Sequence, residues 1–112
     1  MKLIYVCSPY RAYGGTAVAD NLRRVNRYSR SAALSGYIPI APHAIFTQFL
    51  DDGIAEEREA GLYMGKHLLR FCDEMWVFGS YISGGMKSEI GATKQHGMRI
   101  RRFTSACEEL RE

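Results

Sequence analysis

Apolar and polar positions along this chain fall into two alternating rhythms. Short, nearly unbroken apolar runs read as buried strands. Between them apolar residues recur every three or four positions, the spacing of a helix with one buried face. Lys2–Ser8 is the first run, closed by Pro9. Tyr10–Thr16, with its Gly14-Gly15 pair, reads as a loop. A helix follows in which Leu22, Val25, Tyr28, Ser29, Ala32 and Ala33 share a face, with Asp20 or Asn21 as its cap and Gly36 as its terminator. Asn21 has a second possible task, orienting the loop before it. Tyr37–Ala41 is a short strand whose Pro39 places it at a sheet edge or a strand start. Pro42-His43 opens a helical turn reaching about Leu50, and Asp51-Asp52-Gly53 breaks it. Glu56–Cys72 is a longer helix, weakened by Gly61 and Gly65 unless close packing or a ligand needs them. Asp73–Phe78, Met86–His96 and Met98–Phe103 complete the series as strand, helix and strand.

This alternation implies an α/β protein, with a Rossmann-like (flavodoxin-like) parallel sheet of about four to five strands flanked by helices. At 112 residues there is room for one core, so residues 1–112 are expected to form a single domain. Apolar residues at 46% and charged residues at 24% fit a soluble globular protein rather than a disordered one. No apolar run approaches the roughly 20 residues that cross a bilayer, so no membrane partner is expected. Met1–Cys7 lacks the longer apolar stretch and small-residue cleavage site of a signal peptide. Cys7, Cys72 and Cys107 form no CxxC pair and point to a reduced, cytoplasmic setting, with Cys7 and Cys72 as buried hydrophobes. His43, His67 and His96 are scattered, so neither a metal site nor any cofactor is expected.

A net charge of +3 is mild. Arg23, Arg24, Arg27 and Arg30 recur at helical spacing and read as a solvated face. Arg99, Arg101 and Arg102 surround Ile100 on a predicted edge strand, where charge discourages sheet-to-sheet association. No nucleic-acid reading motif accompanies either group, so a nucleic-acid partner is not expected. Gly14-Gly15 is no GxGxxG, and a dinucleotide fingerprint is absent.

The candidate chemistry lies where strands end. In an open parallel sheet the carboxyl ends of the strands and the adjacent helix starts form the ligand crevice. After Phe78-Gly79 the chain runs through Ser83-Gly84-Gly85 and Ser88 to Glu89, expected in the first turn of a helix. The free N–H groups of a helix start favour anions there, a phosphate included. Glu89 is either a carboxylate reserved for chemistry or a glutamate that complements the helix dipole, worth about 0.3–1 kcal/mol. Ser83 with its glycines is a phosphate or sugar site, or a plain cap. Ser8, Tyr10 and Arg11 follow the first strand into the same crevice. Arg11 suits a phosphate or carboxylate, or is a solvated loop arginine. His43, after the second strand, meets a ligand or caps the short helix. Tyr5 alternates within its strand and reads as core, whereas Tyr10 lies past the strand end and is the better site candidate.

Taken in order, Tyr5–Tyr10, Asn21 to Asn26, Gly36–His43, Cys72–Val77 and Ser83–Glu89 resemble the nucleoside 2-deoxyribosyltransferase-like superfamily, and in particular its small phage- or prophage-encoded proteins of unknown function. The resemblance spans nearly the whole chain. It implies cleavage or transfer of the N-glycosidic bond of a 2′-deoxynucleoside or deoxynucleoside 5′-monophosphate, with Glu89 as the nucleophile on the anomeric carbon. Such a carboxylate traps an oxocarbenium-like sugar, and the leaving base needs a proton. Its partners would be a small nucleoside or nucleotide and further copies of the chain in a homo-oligomer. The helix containing Gly61 and Gly65 is a reasonable packing surface for such contact. In one respect the chain departs from the pattern. Eight positions before Asp73, where the resemblance implies a proton-transferring or orienting aspartate, stands Gly65. Catalysis would then be slower, use another acid such as Glu59 or His43, or be absent. Asp73 itself reads as a strand-start residue. The alternative, from a different class, is a non-catalytic module binding a nucleotide or nucleotide sugar.

Overall fold

The computed structural model describes residues 1–111. Four parallel strands, β1 (Leu3–Cys7), β2 (Ile38–Ile40), β3 (Glu74–Phe78) and β4 (Arg99–Phe103), make one sheet in the order β2-β1-β3-β4. Helices α1 (Val18–Leu34), α2 (Pro42–Phe46), α3 (Ala55–Leu69) and α4 (Gly84–Gln95) connect them. This is the parallel α/β architecture expected from the alternating periods. Pro39 indeed lies on an edge strand, since β2 ends the sheet.

Two-residue alternation sorts each strand's side chains into two cores. Ile4, Val6, Trp76, Phe78 and Phe103 face α1, where they meet Val25, Tyr28 and Ala32. Tyr5, Cys7, Met75 and Val77 face the other way, against Leu69 and Cys72 around the end of α3 and Met86 of α4. All five residues of β3 are buried, because both faces of this strand are covered. In the first core Tyr28 stacks on Phe78 and Phe78 on Phe103, with ring centroids 4.3 and 5.0 Å apart. Such pairs add about 0.5–1.5 kcal/mol each beyond their buried area.

Boundaries shift where capping differs from expectation. α1 begins at Val18, ahead of both expected caps. Asp20 accepts a bond from the Ala17 N–H, 3.4 Å away, from inside the first turn. Asn21 is fully inside the helix and buried, so it takes its other task and holds the preceding loop. Gly36 closes α1 at φ +92° as expected, but Ala33 is exposed rather than on the packed face. α3 stops at Leu69, three residues short of Cys72. α4 starts at Gly84, with Ser83 as N-cap accepting from the Met86 N–H at 3.2 Å. Glu89 therefore sits in the second turn, not the first. It lies beyond the free N–H groups of the helix start.

Asp73 accepts a bond from the Leu3 N–H at 2.7 Å and ties β1 to the start of β3, the structural task expected of it. The edge strand β4 is not bare charge. Arg101 reaches Glu109 at 2.6 Å and Glu74 at 3.5 Å, and lies 4.8 Å over the Trp76 ring.

Candidate functional site

At the carboxyl edge of the sheet, beside the β1–β3 junction where the strand order reverses, is a cavity of about 410 Å³. That volume lies in the ordinary range for small-molecule sites. Four segments wall it. The β1 end brings Ser8 and the loop after it Tyr10 and Arg11; α2 brings His43; α3 brings Gly61 and Gly65; the α4 start brings Ser83, Gly84, Gly85 and Glu89. Of the residues expected as nucleophile or substrate-binding groups, only Ser88 is outside this lining, and it is exposed. Helical spacing explains the exclusion, since residues 88 and 89 are about 100° apart around α4.

Glu89 reaches from α4 back to β1. Tyr5 donates its hydroxyl to Glu89 Oε2, and the Cys7 thiol lies 3.7 Å from Oε1. Tyr5 and Cys7 are on the same face of β1, two residues apart, and α4 packs on that face. Burial raises the Glu89 carboxyl above its ordinary value. Hydrogen bonds from Tyr5 and Cys7 and the charge of Lys66 pull in the opposite direction. The Tyr5 hydroxyl is pushed well up by burial and by the adjacent carboxylate, and so is the Cys7 thiol. Both remain protonated donors at neutral pH. Tyr5, read from the sequence as core, is both core and cavity wall, and it displaces Tyr10 as the tyrosine on the carboxylate. The available signal was its place one pleat before Cys7 at a strand's carboxyl end.

Gly65 stands beside this pair. A Cβ placed there would meet the Tyr5 hydroxyl at 3.4 Å and Pro42 Cβ at 3.5 Å. The position where the resemblance implies an aspartate thus opens directly onto the Tyr5–Glu89 contact. On α3, Gly61 and Gly65 line the cavity. The exposed apolar side of α3 carries Leu62 and Tyr63 instead.

His43 Nε2 lies 3.3 Å from Ser8 Oγ, and its ring stands edge-on to Tyr10 at 6.2 Å. Burial lowers its pKa to about 4. It is a neutral imidazole at pH 7, able to donate or accept one hydrogen bond but not to act as an imidazolium acid. Glu59, the other substitute acid, is exposed and off the cavity. Glu57 takes the wall position, where it accepts from the Asp51 N–H at 2.9 Å. Arg11 pairs with Asp52 at 3.1 Å, and Arg58 approaches the same carboxylate at 3.8 Å. The sequence offered no signal for Asp52, Glu57 and Arg58, because a helix break accounts for the first and plain helix positions for the other two. Asn21 fixes the loop that carries Tyr10 and Arg11 by donating to both of their carbonyls at 3.0 Å.

Among the described residues no group of three or more His, Cys, Asp or Glu side chains is arranged to hold a metal ion. Nor is any helix among them long and apolar enough to cross a membrane.

A parallel sheet with helices on both faces and a cavity at its switch point defines an α/β protein of the flavodoxin-like type. Residues 2–103 match the family described as Domain of unknown function (DUF7768), and the chain belongs to that family. A solved structure of 2-deoxyribosyltransferase from the psychrotolerant bacterium Bacillus psychrosaccharolyticus is similar in fold, with a TM-score of 0.72 at 18% identity. The match covers 91% of this chain and 72% of that one. No curated protein matches the sequence.

Proposed function

We propose that this protein cleaves or transfers the N-glycosidic bond of a 2′-deoxynucleoside or deoxynucleoside 5′-monophosphate, with Glu89 as nucleophile. The observation that carries the reading is the half-buried Glu89 carboxylate, held by Tyr5 and Cys7 inside a cavity of nucleoside size. The similarity in fold to a 2-deoxyribosyltransferase supports it. In this reading a Glu89 oxygen bonds to C1′ as the C1′–N bond breaks, and the base leaves with a proton from a neutral donor. Water or a second base then attacks C1′ and releases the carboxylate. The Tyr5 hydroxyl orients Glu89 and favours its charged form. Ser8, Tyr10, Arg11 and His43 form one binding wall, with His43 toward the base and Arg11 suited to a phosphate or carboxylate, while Ser83, Gly84 and Gly85 meet the sugar or phosphate. Ser88 drops out of that set. The proposal extends to one domain over 1–112, a cytoplasmic homo-oligomer and the phage- or prophage-type branch of the superfamily.

The test is incubation with a panel of deoxynucleosides and their monophosphates, with and without an acceptor base, following free base by chromatography. Release or exchange that Glu89→Ala abolishes is the expected result. A second reading, a non-catalytic nucleotide or nucleotide-sugar binding module, is favoured by Gly65, which puts no carboxylate at this position beside Tyr5. Saturable binding without turnover would select it.

A further inference from the structure

A second cavity, of about 460 Å³, lies on the α1 side of the sheet, away from the Glu89 carboxylate. Tyr28 and Phe78 form part of its lining, with α1 on one side and the loops after β3 and β4 on the other. Its chemistry differs from that of the first cavity. There, Asp52, Glu57 and Glu89 counter Arg11 and Arg58. Here the charged side chains are Arg24 and Arg27, and among the described residues no carboxylate joins them. Ser80 and Ser105 add hydroxyls.

The two guanidinium groups are not simply the solvated helix face that their spacing predicts. Arg27 is oriented by a bond from Nη2 to the Ser105 carbonyl at 3.0 Å. Arg24 is half-buried and forms no salt bridge among the described residues, since Asp20 is engaged by Arg23. Taking a guanidinium partly out of water without a counter-charge is unfavourable unless an anion joins it. At i and i+3 the two arginines are neighbours on one helix face. Guanidinium forks match the oxygen geometry of a phosphate.

We propose that this cavity binds a phosphate group, as a phosphomonoester or diphosphate, with Arg24 and Arg27 as its cationic partners and Ser80 and Ser105 as hydroxyl donors. The proposal does not depend on glycosidic chemistry at Glu89. Because Ser8 and Tyr81 wall both cavities, a phosphate here borders the first site. Its source is either a nucleotide that reaches across that wall or a separate phosphorylated ligand.

Calorimetric titration of the full chain with inorganic pyrophosphate, at fixed ionic strength, tests it. Saturable binding is expected in the wild type and equally in Glu89→Gln and Arg11→Gln. Arg24→Gln and Arg27→Gln should each weaken it by about tenfold or more, with circular dichroism unchanged. Arg27 is exposed, so its variant keeps the test valid if Arg24→Gln folds poorly. Displacement of pyrophosphate by a 2′-deoxynucleoside 5′-monophosphate, but not by the uncharged nucleoside, assigns the phosphate to a nucleotide. Binding that neither ligand displaces assigns it to a separate anion. Absence of saturable binding, or undiminished binding in both Arg24→Gln and Arg27→Gln, overturns the proposal. So does loss in Arg11→Gln alone.

Discussion

The hydroxyl of Tyr5 is the closest partner of the Glu89 carboxylate, and one oxygen atom can be removed to test what it does. Tyr5→Phe keeps the buried ring and deletes the donor. Hydrogen bonds to a charged group are worth about 1.5–3 kcal/mol, so base release should fall roughly 10- to 100-fold. Without that donor the Glu89 carboxyl rises further, and the acid limb of the kcat/KM profile should move to higher pH. A rate drop with no movement of that limb would argue that Tyr5 acts only by filling space. Gly65 offers the reverse experiment. Its Cβ position is 3.4 Å from the Tyr5 hydroxyl, and its next nearest neighbours are atoms of Pro42. Gly65→Asp is expected to fold, since helix propensity at this position improves slightly, by a few tenths of a kcal/mol. It should raise the rate of base release in the chromatographic assay, and a lower rate would show that the added carboxylate only repels Glu89.

At the scale of elements, α1 and α4 do more than cover the sheet. The first buried residue of α1 is Asn21, whose amide holds the Tyr10 and Arg11 carbonyls. Asn21→Ala should cost about 1–2 kcal/mol in chemical denaturation, because two carbonyl acceptors lose their donor. Ligand binding should suffer more than the chemical step, appearing as a raised KM with kcat less affected. In α4, Ser83 accepts from the Met86 N–H at 3.2 Å and defines where the helix begins. Ser83→Ala should cost about 1 kcal/mol of stability. The loop before α1 is pinned by a second device. Gly14 and Gly15 have φ of +47° and +83° in a tight turn bridged by Tyr13 and Thr16, and Tyr13 stacks on Tyr81 at 3.8 Å. Positive φ at both central residues suits glycine and the twist of a two-residue hairpin.

For the molecule as a whole, two site residues pull stability in opposite directions with pH. His43 has a folded pKa of about 4 against 6.5 when free, so the unfolded chain binds the extra proton. Its contribution is complete above pH 6.5 and is lost as pH falls toward 4. Glu89 is shifted upward by burial, so its contribution is complete below the ordinary carboxylate value and is lost as pH rises through the folded value. Glu89→Gln should therefore melt higher than the wild type at neutral pH, with the gain shrinking toward acid. His43→Gln should flatten the wild-type loss between pH 6.5 and 4. Melting curves across pH 4–8 read both, and parallel curves for wild type and variants would contradict the assignment. Glu74 steepens the acid side. Burial would raise its carboxyl, but bonds from Trp76 and Lys2 and the charge of Arg101 bring it below the ordinary value.

The sequence by itself determined the parallel α/β architecture, the element order and the part of the chain that carries the site. These follow from local periods, from proline and glycine punctuation, and from the rule that strand carboxyl ends gather loops. That is why Ser8, Arg11, His43, Ser83 and Glu89 were expected together at one sheet edge, where they line a single cavity. The tertiary structure alone decided which side chains meet. Tyr5 and Glu89 are 84 positions apart and touch because β1 turns its odd residues toward α4. Asn21 changed from a cap to a loop clamp because α1 begins four residues earlier than that role requires. Gly65 changed from a flaw in a helix to an opening beside Tyr5. Arg24 and Arg27 changed from a solvated face to the cationic side of a second cavity. Periodicity fixes the face on which a residue lies. Only packing determines what lies opposite, because that depends on helix starts and strand register to within a single residue.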